Sequence, residues 1–231
     1  MYSRRVDGQV LEFGVSGKLI MNVLVMYDRQ TDTLWSQLLG EAVEGELAGK
    51  TLEYLPAWQT TWSDWKTRHP DTLALVKWSG GNRDPYSSYY RSSAPGVIGE
   101  TVQDDRLSTK QYVIGVSLAD DAVAYPFRVM SRETIANDGI AGRPILVVFN
   151  AESGSGVVFH REVDDKILTF AIHEGLTLID EETQTLWDGM TGVATSGELE
   201  GRSLERVKST SSFWFGWKDF YPDTRVYDVD E

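Results

Sequence analysis

Cysteine is absent from this 231-residue chain, which excludes disulfides, thiolate metal sites and cysteine nucleophiles within it. Basic residues are few: 22 Lys and Arg against 35 Asp and Glu give a formal net charge of -13. Sequence-independent nucleic-acid binding needs clustered Lys and Arg to replace counterions, so nucleic acid is not expected as a partner. Adsorption to anionic lipid is disfavoured on the same ground. No run of about 18 apolar residues occurs, so no membrane-spanning helix is expected. The most apolar stretches, Leu19 to Tyr27 and Ile145 to Phe149, are of strand length. The start, Met1-Tyr2-Ser3-Arg4-Arg5, shows neither an apolar h-region nor a small-residue cleavage site. That reads as a cytoplasmic protein, or as a mature or trimmed form.

Histidine is scarce as well. His69, His160 and His173 have no His-x-His or His-Glu-x-x-His spacing, so neither a metal nor another cofactor is expected. Nucleophile-elbow, Walker A and dinucleotide fingerprints are missing. Gly14-Val15-Ser16-Gly17 is too short for a phosphate loop and precedes no clear helix.

What the chain does contain is an internal repeat. Asp28 to Thr72 aligns without gaps on Asp180 to Thr224 at an offset of 152, with 19 of 45 positions identical. The shared positions include Thr33-Leu34-Trp35 and Thr185-Leu186-Trp187, Gly45-Glu46-Leu47 and Gly197-Glu198-Leu199, and Trp65-Lys66 with Trp217-Lys218. Pro70-Asp71-Thr72 likewise matches Pro222-Asp223-Thr224. Upstream, Arg4, Asp7, Leu11 and Phe13 pair with Arg161, Asp164, Leu168 and Phe170, and a loop around Gly14 to Asn22 is five residues longer in the first copy.

Local signals suggest how each copy is built. The Asp28 side chain can close the turn Asp28 to Thr31 onto a backbone amide, after which Thr33-Leu34-Trp35 resumes as a strand. Gly40, Gly45 and Gly49 punctuate further turns. Thr61, with Asp64 three residues on, predicts a capped short helix carrying Trp62 and Trp65 on one face and ended by Pro70. Ser211 or Ser212 would cap its counterpart. Trp78 to Gln111 has little periodicity and reads as a functional loop or linker. Tyr112 to Ala119 and Ala122 to Pro126 read as a hairpin, Arg128 to Asp138 as a short helix stopped by Gly139, and Ile145 to Phe149 as a strand.

These motifs carry a resemblance. LEFGVSGKLIMNVLVMYDRQTDTLWSQLLGEAVEGELAG, RDPYSSYY, QDDRLSTKQYVIGV, AVAYPF, the pair Asn137-Asp138 and the closing FWFGWKDFYPDT resemble the DUF3179 family, a prokaryotic domain of unknown function. The resemblance spans almost the whole chain and implies an extracytoplasmic setting, because members often look exported or membrane-anchored. In similar proteins a Cys-Pro-x-Cys segment precedes the strand equivalent to Tyr2 to Arg5. This chain starts just after it, so a redox or metal role tied to that motif carries over to no residue here.

The expected fold class is mainly β with a few short helices, with α+β as the alternative, arranged as a pseudo-repeat. Residues 1–77 form a first, incomplete copy, 78–111 a long aromatic and charged loop, and 112–231 a second, complete copy, separate or merged into one domain. The expected function is a binding or scaffolding module whose ligand or partner (small molecule, glycan or protein) lies near residues 78–106. Trp58, Trp78, Arg83, Tyr89 and Arg91 are the candidate contacts, offering flat aromatic faces and planar cations. The alternative is a hydrolase-type enzyme with acid, base and stabilising groups from Asp84, Tyr86, Tyr90, Asp105 and Arg106. A third reading is a structural subunit of an extracytoplasmic assembly, joined through an uncovered strand edge in the first copy. Protein purified without a metal-chelate step is expected to show no stoichiometric zinc or copper by elemental analysis.

Overall fold

The structure is a computed structural model that describes residues 1–75 and 86–228. In chain order the first unit holds β1 (Arg5–Val6), β2 (Gln9–Val10), β3 (Phe13–Ile20), β4 (Val23–Asp28), β5 (Leu34–Ser36), β6 (Glu41–Glu44) and α1 (Trp62–Arg68). A strap with α2 (Ser87–Arg91) leads to β7 (Tyr112–Leu118), β8 (Asp121–Pro126), α3 (Phe127–Glu133), β9 (Ile135–Ile140), β10 (Arg143–Asn150) and β11 (Ser155–His160). The second unit then repeats the first as β12 (Glu162–Val163), β13 (Lys166–Ile167), β14 (Phe170–Glu174), β15 (Thr177–Asp180), β16 (Leu186–Asp188) and β17 (Val193–Ser196). It closes with β18 (Ser209–Phe213), α4 (Trp214–Phe220) and β19 (Arg225–Val226). The protein is mainly β, with short helices, as the sequence predicts.

The repeat is a repeat of chemistry. Asp28 and Asp180 each end a strand fully buried, and each carboxylate accepts the indole N–H of the tryptophan seven residues on at 2.9 Å. The Thr31 amide donates to Asp28 at 2.7 Å and the Thr183 amide to Asp180 at 2.6 Å, so one side chain closes the turn and holds the core tryptophan. Phe13 meets Trp35 edge-on at 5.7 Å, and Phe170 meets Trp187 at 5.8 Å. Gly40 and Gly192 both have positive φ, and a Cβ on either would strike the ring of Tyr2 or Phe159. The two helices match in length and in their terminal backbone angles, and Trp65 and Trp217 donate to Thr72 and Thr224 at 2.9 and 3.0 Å.

The second unit is built in layers. The sheet β14-β15-β16-β17 packs on β11-β10-β9, and that central sheet packs on β18-β7-β8-β19. Leu146 and Val148 point into one core and Ile145, Val147 and Phe149 into the other. Burial on both faces is why this strand reads as an unbroken apolar run. Beyond the third sheet, Trp214 and Trp217 of α4 pack on Val113 and Ala124.

Several expectations change. Leu19 to Tyr27 is not one strand but two strands around a turn, with Met21 and Asn22 both at positive φ, as a right-twisted two-residue hairpin requires. The predicted helix over Arg128 to Asp138 stops at Glu133. Thr134 takes a φ of 62°, and Ile135–Ile140 pairs along β10 as β9. Gly139 therefore sits in a strand. Neither Ser211 nor Ser212 caps α4. Both lie in β18, and the N-cap is Phe213 without a side-chain bond. The free helix amides find main-chain acceptors instead: Trp214 donates to the Gln111 carbonyl at 2.8 Å and Phe215 to that of Thr109 at 3.0 Å. The paired tryptophans also differ in burial. Trp214 is fully buried, whereas its counterpart Trp62 is 51% exposed, because among the described residues α1 has no sheet under it.

Burial works to raise the Asp28 carboxyl, but hydrogen bonds from Trp35, Thr31 and Gln30 outweigh it and hold the group below its ordinary value. Such a carboxylate stabilises the fold fully above its unfolded pKa, and the contribution disappears as pH falls through the folded one. Stability is therefore expected to decline below about pH 4. Asp28→Asn is expected to cost about 2 kcal/mol at neutral pH and to flatten that decline. Urea denaturation across about pH 2.5 to 7 checks both.

Candidate functional site

Two regions carry the candidate residues: the strap and a cleft in the first unit. Trp78, Arg83 and Asp84 lie outside the described residues. Tyr86 precedes α2 and is 63% exposed. Tyr89 and Tyr90 turn to Phe213, with ring centroids at 6.2 and 6.4 Å, and Lys110 sits 3.8 Å over the Tyr89 ring. The Arg91 Nε donates back to the Ser87 carbonyl at 3.1 Å. Arg106 forks onto Asp104 at 2.6 and 3.0 Å, donates to the Thr224 carbonyl at 3.0 Å, and lies 5.4 Å over Trp214. Those Arg106 hydrogen bonds hold the Asp104 carboxyl below the usual carboxylate range. Asp105 is exposed beside this pair. Thus Tyr89 and Tyr90 join one aromatic cluster, while Arg106 joins a separate ion pair.

Residues that the sequence did not single out tie the strap down. The Asp219 carboxylate accepts the amides of Thr101 and Val102 at 2.9 and 2.8 Å. Lys218, fully buried, pairs with Glu100 at 2.8 Å and donates to the Val102 carbonyl. On the other side Asn22, at the tip of the long β3–β4 hairpin, accepts the amides of Val97 and Ile98 at 2.8 and 2.9 Å and donates to the Gly99 carbonyl. The five extra residues of that hairpin, visible in the repeat, extend it toward the strap. The shared Trp-Lys pair does not distinguish buried Lys218 from exposed Lys66; the apolar flanks Phe215 and Phe220, against Ser63 and Arg68 in α1, are the signal that does.

The cleft follows from the repeat. In the second unit, Val163, Leu168, Phe170, Leu178 and Trp187 of the β12–β17 half pack against Leu146, Val148 and Val157 from β10 and β11. The first unit has the same floor: Val6, Leu11 and Trp35 are buried, and Phe13 and Met26 pack on them partly exposed. No counterpart of Leu146, Val148 or Val157 covers that floor among the described residues. A cleft of about 620 Å³ opens there instead, lined by Tyr2, Phe13, Met26, Leu38, Leu52, Tyr54 and Trp58. Its far wall is Ser209 to Ser212 of β18, the edge strand of its sheet. The Tyr2 hydroxyl donates to the Leu38 carbonyl at 2.7 Å, and burial pushes its pKa up to about 12, so it stays neutral. Trp58, the one sequence candidate on this cleft, also packs on the second unit, with Arg206 at 5.0 Å over its ring. Its indole N–H has no acceptor among the described residues.

The floor is apolar and aromatic, and Arg4, Gln37, Gln59 and the β18 edge add polar groups to the walls. Among the described residues no three His, Asp or Glu converge as a metal would require, and no helix is long and apolar enough to cross a membrane. Fold and cleft together define a duplicated, mainly β protein with one covered and one open apolar sheet face. The chain belongs to the DUF3179 family, described as a protein of unknown function, whose family model matches residues 1–224. No curated protein and no solved structure matches it.

The two repeat lysines provide a test of the strap's anchorage. Lys218→Met leaves Glu100 without its partner and is expected to cost about 3 kcal/mol in urea denaturation. Lys66→Met, on the exposed helix, is expected to change stability by less than about 0.5 kcal/mol.

Proposed function

We propose that this protein is a binding or scaffolding module that receives its partner in the open cleft of the first unit. The observation that carries the reading is the floor of Phe13, Met26, Leu38 and Leu52, whose counterparts in the second unit are covered by Leu146, Val148 and Val157. An apolar concavity with a few convergent polar groups is where binding energy is available. The strap supports binding less well: Tyr89, Tyr90 and Arg106 are engaged by Phe213 and Asp104 of the same chain. An extracytoplasmic setting is favoured by the family resemblance.

A peptide-display library panned on the full chain tests the proposal. Met26→Arg sets a charge on the cleft floor, and Met26→Leu copies the second unit's Leu178. Selected binders are expected to keep their affinity for Met26→Leu and to lose about tenfold or more on Met26→Arg. Binders that ignore Met26→Arg, with circular dichroism showing both variants folded, would remove the cleft from the function.

A further inference from the structure

A second hollow, in the second unit, shares no lining residue with the cleft. Strands β8 and β19 run parallel, with Arg225 beside Val123 and Val226 beside Ala124. Beyond these pairs the two chains part. The first turns through Pro126 into α3, and the second runs on through Tyr227, whose amide donates to the Ala124 carbonyl at 2.9 Å. In open α/β sheets ligands bind outside the carboxyl ends of parallel strands, where neighbouring chains diverge. The same kind of opening forms here as a pocket of about 480 Å³, and Arg106 and Leu107 of the strap line it as well. We infer that this pocket binds a small carboxylate with an apolar body.

Three of its lining residues are arginines, in a chain with an excess of acid. Two of them are already oriented. Arg106 forks onto Asp104 at 2.6 and 3.0 Å and donates to the Thr224 carbonyl at 3.0 Å. Arg225 donates to the Asp138 carboxylate at 2.7 Å. Asp138 is itself fixed, because it accepts the Tyr125 hydroxyl at 2.6 Å and the Gly139 amide at 2.7 Å. A guanidinium carries more N–H groups than these bonds use, so each paired arginine keeps donors to offer. Arg128, exposed on the first turn of α3, has neither a hydrogen-bond nor an ion-pair partner among the described residues. Leu107, Pro126, Val129 and Val226 supply apolar surface beside these cations. The Tyr227 ring joins them, held against Tyr125 with centroids 5.1 Å apart.

Charge selects the ligand. Asp104 and Asp138 compensate Arg106 and Arg225, and Asp228 also lines the pocket. Arg128 is left without a carboxylate of its own, which suits a ligand of single negative charge. A phosphate monoester carries nearly twice that charge, and it would meet Asp228 and a net charge of -13. A carboxylate also matches the planar fork of a guanidinium. The pocket volume lies in the range of small-molecule sites, and its apolar lining accommodates the rest of the ligand.

The probes are benzoate, benzamide, phenyl phosphate and acetate, each titrated onto the full-length chain and followed by NMR amide shifts. Expected is one saturable benzoate site with a Kd on the order of 1 mM and shifts centred on Arg128, Val129 and Tyr227. The other three probes are expected to bind about tenfold more weakly or worse. Benzamide lacks the charge, phenyl phosphate carries too much of it, and acetate lacks the apolar body. Arg128→Gln is expected to weaken benzoate binding about tenfold. Arg132→Gln removes the same charge from the same helix at a residue that does not line the pocket, and is expected to leave binding within about twofold. Both positions are exposed, and circular dichroism checks that both variants fold. Absence of saturable benzoate binding, shifts centred elsewhere, or equal weakening by the two variants overturns the inference. Phenyl phosphate binding more tightly than benzoate overturns it too, by assigning the pocket to a different anion.

Discussion

An antiparallel sheet with one apolar face gains nothing until that face is covered, and the covering of two such faces shapes this molecule. Each strand ladder supplies its own backbone bonds. The tryptophan held by the aspartate at the turn fixes where the apolar side chains point. What remains is burial, at about 25 cal/mol per Å² of apolar surface. In the second unit Leu146 and Val148 are fully buried over the floor, and each contributes on the order of 1.5–3 kcal/mol. In the first unit the floor is present and no described residue covers it as Leu146 and Val148 do, so a core of matching build becomes the wall of a cleft.

The repeat could be read in the sequence because it consists of residues with little freedom to vary. Asp28 and Asp180 each close their turn and reach the indole at once. Gly40 and Gly192 have positive φ with an aromatic ring where a Cβ would go. Such positions survive in the sequence as identities, and the matched geometry of the two units follows from them.

What could not be read depended on contacts between distant segments. Arg128 to Asp138 carries helix-compatible residues, but Ile135 to Ile140 gains a full ladder with β10 and changes conformation after one residue, Thr134. The sequence offers Ser211 and Ser212 as caps for α4, yet its donors are met by Thr109 and Gln111 carbonyls from the strap. The cleft itself was invisible for a related reason. The repeat pairs the two floors position by position, but only the packing shows that among the described residues one of them is left open. It also shows that Trp58, an unpaired tryptophan in the repeat, lines that face.

Lys66 and Lys218 show most plainly how one motif serves two environments. The dipeptides Trp65-Lys66 and Trp217-Lys218 are identical, and both helices run seven residues with the same terminal geometry. In one helix the ammonium reaches water. In the other it is fully buried, paired with Glu100 and donating to the Val102 carbonyl. A buried ion pair is weak evidence for added stability, since desolvation offsets most of the attraction, but it tolerates few alternative arrangements. Its consequence here is positional. It fixes residues 100–102 of the strap across α4, and Asn22 ties the adjoining residues 97–99 to the first unit's hairpin. The strap thereby joins the covered unit to the open one through two neighbouring clamps.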